Sequence, residues 1–375
     1  MEIPERSRAV GTAERLLGAL TALPGRREAA VAVVNGLFGD ALDDQGSPFA
    51  TPMTIRAGAT VLPLERGALA DALGAAGVVA TPKLCLLVHG LMSTESIWQV
   101  ERDPSTTFGT LLAREHGVTP LAVRYNTGRH ISVNGRELAV VLRRLVAAWP
   151  VRVREIDLIG HSMGGLVVRS ACHYATVLPR GEHALAVRRR WTQAVRRVVL
   201  VGVPNTGAPL EELANLVSGA LWSVPVPATR LVGLGLDRRS AGIKDLRFGA
   251  ILDEDWLEQD PDARARPRPH EVRPLPRAAY LIVAGSVTAD PDHAVARVLG
   301  DALVTPASAT GVTDDVDGGA LFPGATVRVF PGLTHLAMAS HPDVFAAIEA
   351  WWPTGDRGSL TAVGRRGLAR SGPRR

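Results

Sequence analysis

One stretch constrains this chain more than any other: Ile159-Gly160-His161-Ser162-Met163-Gly164-Gly165-Leu166. Before it, Glu155-Ile156-Asp157-Leu158-Ile159 reads as a strand. After it, Leu166-Val167-Val168-Arg169-Ser170-Ala171-Cys172 is apolar enough for a buried helix. A strand that turns straight into a helix brings two backbones into contact, and only glycine leaves room there. Gly160 and Gly164 stand at that contact, and Gly165 adds clearance. Ser162 is then held at the tip of a strained turn, the arrangement that displays a nucleophilic serine.

Residues 160–167 read Gly-His-Ser-Met-Gly-Gly-Leu-Val. At these residues the chain resembles the lipase and esterase branch of the alpha/beta-hydrolase family. The motif is also similar to that of eukaryotic inositol deacylases that remove a lipid acyl chain. The resemblance implies a mostly parallel, doubly wound α/β sheet with an inserted helical cap. It implies a serine hydrolase of carboxylic esters, lipid acyl esters among them, working through an acyl-enzyme without cofactor or metal. The same machinery would serve an acyltransferase or a thioesterase. A hydrolase-fold protein that only binds a partner is the alternative of another class.

The rest of the chain alternates strand and helix patterns, as such a sheet requires. Residues 1–50 form a helical extension with patterns near Gly11–Leu23 and Arg26–Phe38, the second broken by Gly39-Asp40. Residues 51–352 hold the hydrolase domain. Met53–Arg56 and Thr60–Leu64 alternate around Ala57-Gly58 and predict a hairpin. Leu84–Val88, Leu121–Tyr125, Arg197–Val203, Ala278–Ala284 and Thr326–Phe330 read as further strands, the first an unbroken apolar run expected at the sheet centre. Asn126–Ser132 leaves a strand at the edge where open sheets bind ligands, so Asn126 or His130 either lines a pocket or belongs to a surface loop.

In the family, His-Gly-x after the central strand supplies half of the oxyanion hole. Carried over, His89-Gly90-Leu91 makes Leu91 N–H one donor and leaves His89 structural; Met163 N–H is the other. The family order is serine, acid, base. His161 lies within the turn, and side-chain alternation along the strand points it away from the serine. Of the ten histidines, His335 and His341 follow the last strand. His341 precedes Pro342 and the helix Asp343–Trp351, so it reads as a helix start, and His335 is the expected base. For the acid, Asp301 lies in Gly300-Asp301-Ala302-Leu303-Val304, which resembles the Gly-Asp-Gly-Leu-Val segment of many bacterial lipases, with Ala302 a departure. A helix at His293–Leu299 would return Asp301 to the sheet edge. Asp290 and Asp292, which flank Pro291 near the strand end, are the other candidates, Asp290 the first of the two.

Residues 208–277 are too long for a simple crossover and stand where the family carries a cap or lid. Helical patterns at Leu210–Leu221 and Ala228–Leu236 offer Leu221, Trp222, Val224, Val226, Leu231, Val232 and Leu234 as an apolar cover or as an ordinary packed layer. The acidic run Asp314-Asp315-Val316-Asp317-Gly318 lacks the spacing and distal glutamate of a calcium loop and reads as a solvated loop. No Gly-rich phosphate loop and no Cys/His metal spacing occurs.

The net charge of +5 comes from the end of the chain. Arg357 onward carries six arginines and no acid; without them 36 basic residues face 37 acidic ones. Nucleic acid is therefore not an expected partner. Residues 353–375 read as a basic disordered tail, whose one electrostatic partner would be a weak peripheral contact with an anionic membrane. The charged start, Met1-Glu2-Ile3-Pro4-Glu5-Arg6, leads into no long apolar segment and is unlike a secretory signal. Cys85 and Cys172 read as buried apolar residues, not a disulfide framework, which suits a reducing cytoplasm.

Overall fold

The structure, a computed structural model, describes residues 10–14, 17–18, 27–100, 103–177, 191–208, 240–260, 268–286 and 321–352. The described elements begin, after helical turns at 10–14 and 17–18, with α1 (Arg27–Asp44). The hairpin β1 (Thr54–Ala57) and β2 (Thr60–Leu62) follows, then α2 (Arg66–Ala75) and β3 (Lys83–Val88). A small ribbon, β4 (Gln99–Val100) and β5 (Asp103–Thr107), leads into α3 (Phe108–His116), β6 (Thr119–Arg124) and α4 (Ile131–Ala148). Next come β7 (Glu155–His161), α5 (Met163–Val177), β8 (Val195–Val201) and α6 (Ala241–Phe248). The chain closes with β9 (Ala279–Ser286), β10 (Thr326–Pro331) and α7 (Pro342–Trp351).

Among the described residues, eight strands form one sheet in the order β10-β9-β8-β7-β3-β6-β1-β2. Every pair from β10 to β6 is parallel; β1 runs antiparallel to both β6 and β2. The strand alternation sorts side chains into two layers. Leu84, Leu86, Leu158, Val198, Leu200 and Ile282 belong to the core that α4 and α5 cover. Cys85, Leu87, Ile159, Val199 and Val283 belong to the other, packed with Phe108 and Leu112 of α3 and Val344, Phe345 and Ile348 of α7. Apolar area removed from water at about 25 cal/mol per Å² makes these two layers the main source of stability. The mostly parallel sheet flanked by helices agrees with the expected fold class.

Three local expectations change. Gly39-Asp40 does not end a helix: α1 continues to Asp44. A glycine costs an isolated helix about 1 kcal/mol, but here tertiary contact outweighs that cost. A side chain at Gly36 would overlap Met92, and one at Gly39 would overlap Asn126. The extension is thus, in its described part, packed directly on the sheet edge. The loop 126–128 is also not a surface loop, since all three residues are buried. Finally, the apolar spacing predicts a helix over Arg136–Trp149, whereas α4 begins at Ile131, five residues earlier.

The expected cap helices at Leu210–Leu221 and Ala228–Leu236, with Leu221, Trp222 and Leu231, lie outside the described residues. So do Asp290, Asp292, Asp301, the helix at His293–Leu299, the acidic run 314–318 and the tail 353–375. Among the described residues, no helix is long and apolar enough to cross a membrane. Cys85 and Cys172 are free and buried, and burial pushes the Cys172 thiol up to about 12.

Candidate active site

β7 delivers the central turn. Ser162 has φ 54, one of two non-glycine residues in the left-handed region among those described. A lone left-handed residue costs roughly 1–3 kcal/mol and persists only where its surroundings enforce it. Here the enforcement is visible. Ser162 N–H donates to Val201 O at 2.9 Å, and Ser162 O accepts Gly165 N–H at 3.0 Å. A Cβ on Gly164 would collide with the carbonyl oxygens of Val88 and His89, and one on Gly165 with Val203. A Cβ on Gly160 would lie within 2.6 Å of Gly165 N. The glycine pattern therefore does what the sequence required of it.

The other strained residue, Met92 (φ 56), lies in the loop after β3. A Cβ on Gly90 would stand 2.9 Å from Ser162 Cβ, so this loop packs against the serine. Met92 N–H is bound by Thr127 Oγ1 at 3.2 Å. Among the described residues no main-chain acceptor engages Leu91 N–H. Met163 opens α5, so its N–H has no partner within the helix. Leu91 N–H, in the loop that packs against Ser162, and Met163 N–H, at a helix N-terminus where negative charge is favoured, are thus the candidate donors. His89 has a structural place: its ring stacks on Tyr125 at 4.7 Å, and Tyr125 Oη donates to His89 O at 2.8 Å. Burial holds its pKa down at about 4, so it stays neutral.

Helix α1 clamps this loop from above. Its Gly36 meets Met92, while Asn126 Nδ2 donates to Gly39 O at 2.8 Å and Asn126 Oδ1 accepts Gly128 N–H at 3.0 Å. Asn126 is therefore occupied in holding backbone. His130 is tied as well: Nδ1 lies 3.0 Å from Asp245 Oδ2 in α6, and the ring stacks on Trp256 at 3.5 Å. Asp245 is fully buried and also accepts Ile131 N–H at 2.9 Å. Gly242 of α6 donates its N–H to Gly128 O at 3.0 Å, and a Cβ there would lie 3.3 Å from Met163 Cε. Periodicity at α1 and α6 could not reveal these contacts, which join residues far apart in the sequence, 87 apart for Asn126 and Gly39 and 115 for His130 and Asp245.

His335 enters from the far side. It follows β10 in the loop before α7 and is 1 % exposed, as Ser162 is 2 % exposed. Its ring lies against Gly202, the left-handed residue (φ 56) that follows β8 and so adjoins Val201, the acceptor of Ser162 N–H. The structure thus brings Ser162, Met163, Leu91 and His335 to one edge of the sheet. His341 instead caps α7, its Nδ1 accepting Asp343 N–H at 3.2 Å. His161 is buried beside His335, with ring centroids 4.8 Å apart. Among the described residues no group of three or more His, Cys, Asp or Glu could hold a metal.

A sequence model described as the alpha/beta hydrolase family matches residues 85–348. No curated protein matches. Among solved structures, the mature lipase BlEst2 of Bacillus licheniformis is 20% identical, with 72% of this chain and 91% of that one covered at a TM-score of 0.43. A thermophilic esterase from Thermogutta terrifontis is 16% identical, covering 73% and 90% at a TM-score of 0.37. The phospholipase PlaB from Legionella pneumophila is 16% identical, covering 68% and 53% at a TM-score of 0.40.

Proposed function

Because the chain belongs to the alpha/beta hydrolase family, we propose that it cleaves carboxylic esters, lipid acyl esters included, with Ser162 as nucleophile. The observation that carries this reading is the left-handed Ser162 at the junction of β7 and α5. A serine hydroxyl is a weak nucleophile and needs an imidazole to take its proton. In this reading His335 removes that proton as Ser162 Oγ attacks the acyl carbonyl. The carbonyl oxygen gains negative charge, which Leu91 N–H and Met163 N–H receive. His335 then gives its proton to the leaving alkoxide, and the acyl group stays on Ser162. Water, deprotonated by His335, releases the acid and restores the serine. Asp301 orients His335 and stabilises the imidazolium. Oxyanion donors of this kind lower the barrier by roughly 3–4 kcal/mol each.

The substrate side of the proposal rests on burial. Ser162 and His335 are both nearly inaccessible, which supports a cover that opens to admit the ester. Residues 208–277 are the proposed cover, and the packing of Gly242 over Met163 supports it. An apolar cover would add about 0.8 kcal/mol of binding per buried methylene. A panel of p-nitrophenyl esters graded by acyl length tests the function. Efficiency should climb with chain length to a plateau. Hydrolysis of none of the panel would remove the ester-hydrolase reading.

A further inference from the structure

We propose that His161 is a positioning residue for the general base, its imidazole holding the His335 loop in register with the nucleophile through the main-chain carbonyl of His335. The proposal rests on the reading of Ser162 and His335 given above. His161 Nε2 lies 3.0 Å from His335 O, although 174 residues separate the two. A carbonyl only accepts, so Nε2 carries the proton and donates it. His161 occupies the last position of β7, paired with Val201 of β8, and is joined to Ser162 by a single peptide. One residue therefore carries the geometry of the nucleophile directly to the loop that bears the base.

The strand alternation puts His161 on the layer of Ile159, the layer that also holds Trp98 and Met338. Trp98 meets the His161 ring edge-on at 6.3 Å. From the other side, a Cβ on Gly90 would stand 3.2 Å from His161 Nδ1. The ring is thus confined by the oxyanion loop, by Trp98 and by His335. The base loop leaves an edge strand whose residues are largely exposed, and its turn is closed by Met338 N–H to Thr334 O at 3.3 Å.

Charge fits the same role. Burial, and then the neighbouring His335, push the pKa of His161 down to about 3. His161 stays neutral at working pH, so the positive charge formed during turnover can reside on His335 alone. Two imidazolium rings 4.8 Å apart would repel each other in a buried site.

Two variants separate the hydrogen bond from simple packing. His161→Phe keeps a ring and loses the donor. His161→Gln loses the ring but keeps an Nε2–H at the same bond count from the backbone. On a short soluble ester, the Phe variant should lose on the order of 10–100-fold in kcat with KM nearly unchanged, as a displaced catalytic group does. The Gln variant should recover most of that loss even if it melts at a lower temperature. A Phe variant as active as the parent, or a Gln variant no better than Phe, would overturn the proposal. A measurement on the unmodified protein covers the case in which Phe does not fold. Imidazole 15N NMR should show His161 protonated at Nε2 and bare at Nδ1 from about pH 5 to 8, well above a pKa of about 3. The opposite tautomer, or a titration in that range, would overturn it. Activity of the parent protein and labelling of Ser162 test the underlying reading separately.

Discussion

Ser162 and His335 are equally buried, yet they are held in different ways. Ser162 stands between central strands, its backbone hydrogen-bonded on both sides and its turn enclosed by three glycines with no space to spare. His335 hangs from a loop after β10, an edge strand with Val327 and Val329 exposed, and rests on Gly202 and the His161 tether. The loop after β3, proposed to bind the oxyanion, belongs with the first half, since α1, Thr127 and the serine itself confine it. Close packing makes the nucleophile side a rigid frame. The base side includes a directional contact, the His161 hydrogen bond to His335 O, so it should respond to substitution there through rate before stability.

The largest expected effect lies in the frame. Ser162→Ala should lose about five to six orders of magnitude in kcat, as removal of a catalytic serine does, while the thermal melt stays near that of the parent. On the other half, Asp301→Asn should cost about four orders of magnitude, because the base loses its orienting charge, and Asp290→Asn should cost little. The reverse ranking in ester kinetics would move the acid to Asp290.

The contrast in packing can be broken with glycines. Gly164→Ala drives a methyl into the Val88 and His89 carbonyls and should destabilise by about 3 kcal/mol or more in urea unfolding. Gly36→Ala presses a methyl onto Met92, whose loop belongs to the frame, so it should lower the urea unfolding midpoint and, by displacing that loop, lower kcat roughly tenfold. Gly332→Ala, beside the base loop, meets nothing within 4 Å despite its φ of 76. Its cost should be only the left-handed penalty of about 1 kcal/mol. Equal losses at Gly164 and Gly332 would abolish the distinction between the two halves.

The same contrast explains what could be read from the residues alone. The turn at Ser162 was legible because its constraint is local: strand, glycine, serine, glycine and helix are contiguous. The sheet was legible because central parallel strands such as Leu84–Val88 are apolar throughout. Helix α1 was legible from Arg26 to Phe38 but its continuation to Asp44 was not, because Gly39 serves a contact with Asn126, which no local pattern encodes. Alternation along β7 gives the side on which His161 lies, but its partner sits 174 residues away. His130 is likewise defined by Asp245, which lies 115 residues on. Long-range polar contacts of this kind leave no periodic trace.

The central claim is that Ser162 is the nucleophile of a serine ester hydrolase. Treating the native protein with a fluorophosphonate probe and mapping the modified peptide by mass spectrometry tests it most directly. The account predicts one covalent adduct, on Ser162, with ester hydrolysis lost in step with labelling. It predicts no labelling of protein unfolded beforehand, because the left-handed turn and the base loop exist only in the fold. A native protein that resists the probe, or an adduct on another serine that tracks the loss of activity, would contradict it.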